Sequence, residues 1–350
     1  MQYRLILMAS MLIPCAAMSE TTLLFENSNF EKGTLENWLQ EGSAFEFQPT
    51  RGDNVLARTN GQTREVAGHE GQWWAGSFEK YQGQPGEAPG QTQGDNLTGG
   101  LLSADFIIRQ PYLTFLVGGG AEDCSVNLIV SGEVVFSTSG RNQEEMKRVY
   151  WNVQEFHDRK GMIYVQDSGR GRWGHINVDD FRASDAGPRL LFPNSDFEMG
   201  DLTNWTAEGL ACTSQPTKGD NVAVRSREKK VMPQGQWWVG TYENFQGKAG
   251  QPPGQVQDDL PRGILRSIPF TITENTIAFL VGGGKGDGVA IRMKVDEQVI
   301  HTTRGQNAEL LQSAQWDVST HKGKTAVIEI IDEDGGAWGH INADYFHYAE

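Results

Sequence analysis

Cysteine is scarce in this chain of 350 residues, with only Cys15, Cys124 and Cys212. A fold stapled by several disulfides is therefore excluded. Basic side chains are outnumbered too: 30 Lys and Arg stand against 45 Asp and Glu, for a formal net charge of −15. Binding to a phosphate backbone needs a basic footprint, so no nucleic-acid partner is expected. Long apolar runs are missing after residue 19, and no membrane span is expected there. Sustained helical periodicity is missing as well; only 142–148 and 307–313 hint at one short helix each.

The first 19 residues read as a secretory signal peptide. Arg4 supplies a minimal positive start, Leu5 to Pro14 an apolar stretch, and Cys15-Ala-Ala17 or Ala17-Met-Ser19 a small-residue cleavage site. Pro14 directly before Cys15 argues against a lipid anchor. A secreted or periplasmic location is expected.

What the chain has is repetition. Phe115-Leu-Val-Gly-Gly-Gly120 returns as Phe279-Leu-Val-Gly-Gly-Gly284, and Trp173-Gly-His-Ile-Asn177 as Trp338-Gly-His-Ile-Asn342. Partners lie 167 residues apart at Phe30 and Phe197, 164 at Phe115 and Phe279, and 165 at Trp173 and Trp338. So small a drift means two copies of one folded unit, each long enough to bury its own core. Solenoid repeats recur every ~20–50 residues and are excluded. The copies span 22–183 and 189–350, joined by a short polar linker at 184–188. Neither Cys124 nor Cys212 has a cysteine at the matching place, so no disulfide belongs to the repeated fold; a bridge between the copies stays open at this point.

Strand signals dominate both copies. Ser125–Val130 and Glu133–Ser137 read as a hairpin, as do Val289–Val295 and Gln298–His301. Lys160–Gln166 and Thr325–Ile331 read as a further strand in each. With 42 glycines, 10 tryptophans and 16 phenylalanines, the expectation is all-β: two tandem antiparallel β-sandwich domains. The Gly-, Gln- and Pro-rich stretches 82–100 and 246–263 are surface loops; shared Gly90-Gln91 and Gly254-Gln255 imply that they are held in place.

Duplication also filters motifs. Arg51-Gly-Asp53 resembles an adhesion tripeptide, but Lys218-Gly-Asp220 replaces it, leaving a shared Gly-Asp-Asn turn. Gly282 to Gly288 resembles a phosphate cradle but is followed by a strand, not a helix. The sequons at Asn96 and Asn204 have no counterparts.

Two constellations survive. Asn27-Ser-Asn-Phe-Glu31-Lys-Gly33 opens the first copy and Ile176-Asn-Val-Asp179 closes it; Asn194 to Gly200, with Glu198, and Ile341-Asn-Ala-Asp344 do so in the second. A β-sandwich often joins its first and last strands, which would bring Glu31 to Asp179 and Glu198 to Asp344. Buried carboxylates that meet need a cation or a proton, and hard oxygen ligands select calcium. One structural calcium per domain is thus a candidate, against plain capping of backbone amides.

These opening and closing motifs resemble the galactose-binding-like β-sandwich of many carbohydrate-binding modules. The triple glycine and Trp-Gly-His-Ile-Asn set is similar to accessory modules of secreted levanases and other fructan-acting glycoside hydrolases. The resemblance covers both copies almost end to end and implies a jelly-roll fold with a structural calcium near the first and last strands. No catalytic propeller like that of those enzymes is expected within these 350 residues, which weighs against a hydrolytic role.

The second constellation is the candidate ligand site. Along an extended strand His175, Asn177 and Asp179 share one face while Ile176 and Val178 share the other. Sugars are held by aromatic faces and by polar groups that read hydroxyls, and open glycine backbone permits close approach. Gly118, Gly119, Gly120, Trp173, His175, Asn177 and Trp74 are the candidates, with Gly282, Gly283, Gly284, Trp338, His340, Asn342 and Trp238 in the second copy. The competing reading makes the glycines a tight turn or bulge and the histidine a hydrogen-bond bridge that fixes register. A secreted, non-catalytic tandem binder of a carbohydrate polymer or glycan is the expected function. Alternatives are a structural or adhesion protein, and a glycoside hydrolase using the recurring pairs Glu31/Glu198, Glu79/Glu243 and Asp167/Asp332.

Overall fold

A computed structural model describes residues 21–60, 63–224 and 230–349; the expected signal peptide lies outside the described residues. In the first unit, one antiparallel sheet runs in the order Gln143–Asn152, Tyr112–Gly119, Ile176–Ser184, Trp73–Gly76, Thr50–Arg51. The facing sheet runs Glu133–Thr138, Cys124–Val130, Lys160–Asp167, Gly99–Ser103, Trp38–Gly42. The second unit repeats both orders, from Ala308–Asp317 to Thr217–Lys218 and from Gln298–Thr303 to Trp205–Gly209.

Alternation builds the core between the sheets. Val126, Leu128 and Val130 face Ile163 and Val165 from one sheet, while Phe115, Val117, Ile176 and Val178 close from the other. These are the inward positions of a two-residue repeat. A separate core of the same kind holds Ile291, Met293, Ile328, Ile330, Phe279 and Ile341. Cys124 sits in the first core and Cys212 in the second, both as free thiols, so no bridge joins the copies.

Both expected hairpins form, with Val130 opposite Glu133 and Val295 opposite Gln298. The first and last strands of the first copy do meet, Thr22 opposite Ala183; in the second an isolated bridge, Leu190 to His347, takes that place. The short helices expected at 142–148 and 307–313 are instead the starts of the strands Gln143–Asn152 and Ala308–Asp317. A register shift between Gln143 and Lys147 breaks the alternation. Met146 is buried against Trp74 on the outer face and Val149 in the inter-sheet core, and two covered faces give a spacing of three that mimics a helical face.

The opening motif is a turn wound around one asparagine. The Asn27 amide donates to the carbonyls of Thr34 and Glu36 at 2.8 and 3.1 Å, and its oxygen accepts from the Lys32 N–H. Asn194 makes the equivalent set with Asp201, Thr203 and Met199. Both take positive φ, 65° and 67°, which Asn tolerates better than other non-glycine residues. Gly33 must lack a side chain because a Cβ would lie 2.9 Å from the Trp73 ring.

Candidate functional site

The two carboxylates of each expected pair hold opposite ends of one turn, and they are not equally buried. Asp179 and Asp344 are buried, whereas Glu31 and Glu198 lie at the surface. One oxygen of Glu31 accepts the Gln72 and Trp73 N–H groups at 2.8 Å each. Asp179 accepts from the Glu70 and Asp180 N–H groups at 2.9 and 2.7 Å. The two acids therefore clasp a single turn, 70–73, from either end. Gly71 takes φ +60°, and a Cβ there would sit 2.5 Å from the Glu31 carboxyl. In the second copy Glu198 clasps Gln236 and Trp237, and Asp344 holds Gln234 at 2.7 Å.

Their electrostatics are those of acids short of positive charge. Burial raises Asp179 well above the carboxylate range, with Asp180 and Glu31 adding to it. Burial likewise raises Asp344, helped by Glu198 and opposed by Arg141. Dense packing around the Glu198 carboxyl pushes it up to about 7 even though its side chain reaches solvent. Asp344 Oδ1 is buried without a hydrogen-bond partner among the described residues. Charge, donor type and that spare oxygen fit a hard cation. Among the described residues, however, no three or more His, Cys, Asp or Glu side chains cluster as a metal site, so backbone carbonyls would have to complete the shell.

The triple glycine is packed, not open. A Cβ on Gly118 would lie 2.7 Å from the Glu144 carbonyl oxygen, on Gly119 2.6 Å from that of His175, and on Gly120 2.0 Å from that of Trp173. Gly282, Gly283 and Gly284 meet Glu309, His340 and Trp338 in the same way. These glycines let the chain before the last strand lie directly on its neighbours, which is scaffold. Trp74 and Trp238 are also corrected: both are fully buried and donate from Nε1 to the Gly52 and Gly219 carbonyls at 2.8 Å. Trp74 lies outside the inter-sheet core, packed with Ala67, Leu116 and Met146. Its neighbours Trp73 and Trp237 are the half-buried members of each pair.

His175 and Asn177 project together onto the face opposite Ile176 and Val178, as alternation predicts. There they meet two acids. His175 Nδ1 lies 2.8 Å from Asp95 Oδ1, and Nε2 lies 3.4 Å from Glu144 Oε2. Asn177 donates to the Glu144 carbonyl at 3.2 Å. His340 repeats this with Asp259 at 2.7 Å and Glu309 at 3.6 Å, and Asn342 with Glu309. Burial opposes the imidazolium, but Asp95 and Glu144 outweigh it and hold His175 up to about 9. His340 is raised for the same reasons. Both histidines are buried, so each bridges strand and loop and does not itself reach solvent.

Accessible surface opens just above this network. Trp173 is half-buried and lines a cleft of about 520 Å³ with Val66, Asn142, Gln143 and Glu144. Trp338 lines a cleft of about 410 Å³ with Lys230, Asn307, Ala308 and Glu309. Position for position these are one site occurring twice. Trp173 and Trp338 take φ of 65° and 61°, a conformation costing bulky residues roughly 1–2 kcal/mol. Phe30 and Phe197 share it inside the core, so exposure, not strain, sets the tryptophans apart.

Several residues at this site are silent as motifs. Glu144 and Glu309, like Asp95 and Asp259, recur at the offset of the repeat, and that recurrence is the signal by which they can be found. Glu79, one of the recurring acids of the sequence, is buried: it accepts from Asn54 and Arg58, and burial pushes it up to about 7 despite Arg58. The Asn54 oxygen in turn accepts the Gly90 N–H at 2.6 Å, and Asn221 accepts that of Gly254 at 2.7 Å. The shared Gly-Asp-Asn turn thus pins the long loop beside the cleft.

No family model matches the chain. Among curated proteins, 164 residues are 48% identical to a protein of Aspergillus rugulosus described as "Putative glycosyl hydrolase ecdE", covering 45% of this chain and 21% of that one. The chain thus spans about a fifth of the length of the curated relative it matches. It is similar to the solved structure of TmCBM61 in complex with β-1,4-galactotriose, at 15% identity and TM-score 0.29, over 46% of this chain and 96% of that one. It is similar to the CBM22-1–CBM22-2 tandem of Paenibacillus barcinonensis Xyn10C, at 10% identity and TM-score 0.25, over 96% and 100% of the two chains. The tandem CBM51 modules of Streptococcus pneumoniae Sp3GH98 match at 10% identity and TM-score 0.21, over 89% and 100%.

Proposed function

We propose that the protein is exported and binds carbohydrate without cleaving it, one Trp-lined cleft serving each module. The observation that carries this reading is the recurrence of a half-buried tryptophan, an asparagine and a glutamate at matching places in two clefts. An indole face covers the C–H patch of a sugar ring, and nearby carboxylate and amide groups read its hydroxyls. The partial match to a protein named as a glycosyl hydrolase supports a role beside glycan chemistry. Against catalysis by the recurring acids, Glu79, Glu243, Asp167 and Asp332 are at most 1% exposed, out of reach of a glycosidic bond. Glu31 and Glu198 are occupied with the backbone N–H groups of their turns. Calorimetric titration against fructans, β-glucans and galactans tests the reading. Trp173→Ala and Trp338→Ala should each remove about 1 kcal/mol of ring contact, a several-fold loss of affinity. An intact protein that binds none of these polymers refutes it.

A structural calcium at Glu31 with Asp179, and at Glu198 with Asp344, belongs to the same reading. Bound there, the ion would supply positive charge to acids that otherwise hold only N–H groups. Chelation should lower the melting temperature of the native protein; an unchanged melt removes these four residues as ligands.

A further inference from the structure

The two clefts are not independent of each other. The first, around Trp173, takes part of its wall from Ser313 and Gln315 of the second module. The second, around Trp338, takes part of its wall from Ala121 and Glu122 of the first. A hydrogen bond links their walls. Asn142, which lines the first cleft, accepts at Oδ1 the N–H of Ala121, which lines the second, at 2.9 Å. Arg141, the residue before Asn142, crosses the module boundary. Its Nη1 donates to the carbonyls of Met232 at 2.6 Å and Leu311 at 2.9 Å, and the residue is buried. Met232 lines the second cleft. The strand Ala308–Asp317 passes under both, with Ala308 to Leu310 in the second cleft and Ser313 and Gln315 in the first. At the rise of an extended strand the step from 309 to 314 is about 17 Å.

We infer that the two clefts are adjoining subsites of one groove along the module seam, which takes a glycan chain several residues long and not two separate terminal sugars. This deepens the carbohydrate-binding reading and rests on it. A charged side chain buried across the boundary, with its N–H groups spent on carbonyls of the partner module, fixes the relative position of the clefts. One chain that engages the first subsite then meets the second at high effective concentration. Because each cleft borrows part of its wall, the groove is a property of the tandem.

Full-length protein is titrated with a trisaccharide and a long oligosaccharide from each of the fructan, β-glucan and β-galactan series. Some series should bind as trisaccharide with two per chain, and as long oligosaccharide with one per chain and an affinity at least ~10-fold higher. Trp173→Ala or Trp338→Ala alone should return the long chain to trisaccharide affinity. Arg141→Gln, the amide that Gln306 supplies at the matching place, should lose the gain with length while keeping trisaccharide binding. Should Arg141→Gln not fold, the two tryptophan variants decide. Equal affinities at both lengths, with two long chains bound, overturn the groove and leave the carbohydrate reading standing. Binding of no series at either length refutes both.

Discussion

His175 offers a pH test of the buried network. The imidazole is 3% exposed, faces Asp95 and Glu144 across its two nitrogens, and lies close enough to Asp167 to act on its charge. Burial works against the imidazolium, and the two ion pairs more than reverse that, holding it up to about 9 against an ordinary 6.5. At about 1.4 kcal/mol per tenfold change in proton affinity, the net gain on folding is on the order of 3 kcal/mol. A histidine raised in the folded state contributes this in full below 6.5, and the contribution is lost as pH rises through 9. Urea unfolding of the native protein and of His175→Gln, at about pH 6 and about pH 9.5, isolates it. Every other group, His340 included, is common to both proteins. The stability gap between them should shrink by on the order of 3 kcal/mol from the lower to the higher pH. A gap that stays constant within about 1 kcal/mol would mean that His175 folds neutral and that the two acids merely position it.

Two further outcomes test the scaffold. Gly120→Ala sets a Cβ 2.0 Å from the Trp173 carbonyl oxygen, a backbone atom that cannot rotate aside. Denaturant unfolding should show a loss of about 3 kcal/mol or more, and Gly284→Ala should match it; a loss under about 1 kcal/mol in either would reopen the glycines as yielding backbone. Cys124 and Cys212 are buried, and burial raises both thiols, Cys212 up to about 12. Iodoacetamide should spare both in the folded protein and modify both in urea. Labelling of the native state, or a mass two hydrogens short, contradicts the free, buried assignment.

How much of this was legible in the sequence depended on the range of the interaction. Hairpins and the strand alternation at Ile176 and Val178 follow from local pattern, and the pairing of the first strand with the last, Thr22 opposite Ala183, follows from sandwich closure. The helix expected at 142–148 did not follow, because the strand is covered on both faces: Met146 is buried against Trp74 on the outer one and Val149 in the inter-sheet core, and two buried residues three apart imitate a helical spacing. Trp74 is buried and not an open stacking face because the strand Trp73–Gly76 has two covered faces. One lies on the inter-sheet core and the other under the loop that carries Ala67, and no alternation rule anticipates that loop. Asp95 and Glu144 carry no motif of their own, and Glu79 is legible only as a recurring acid. Their roles arise only when Asp95 and Glu144, from a loop and a neighbouring strand, converge on one histidine, or when a loop is pinned by Asn54.

The repeat itself explains why the seam was the least legible part. Two copies joined head to tail meet through different faces: the first presents Arg141, and the second presents the carbonyls of Met232 and Leu311. Such a heterologous contact cannot be conserved between copies, since each copy uses only one half of it. Residues at the boundary are therefore free to diverge where the fold is not. Arg141 faces Gln306 in the alignment of the copies. Asp180, paired with Arg148 at 2.9 Å, is replaced by Tyr345, which packs with Val231, Trp238, Leu280 and Leu311 and lines the inter-module cleft with Gln234 and Trp237. Arg148 becomes Ser313, a wall of the first cleft. Agreement between the copies marks what each module needs to fold and to hold its tryptophan. Disagreement, where it gathers at one boundary and carries a buried arginine, marks what the pair needs to act as one groove.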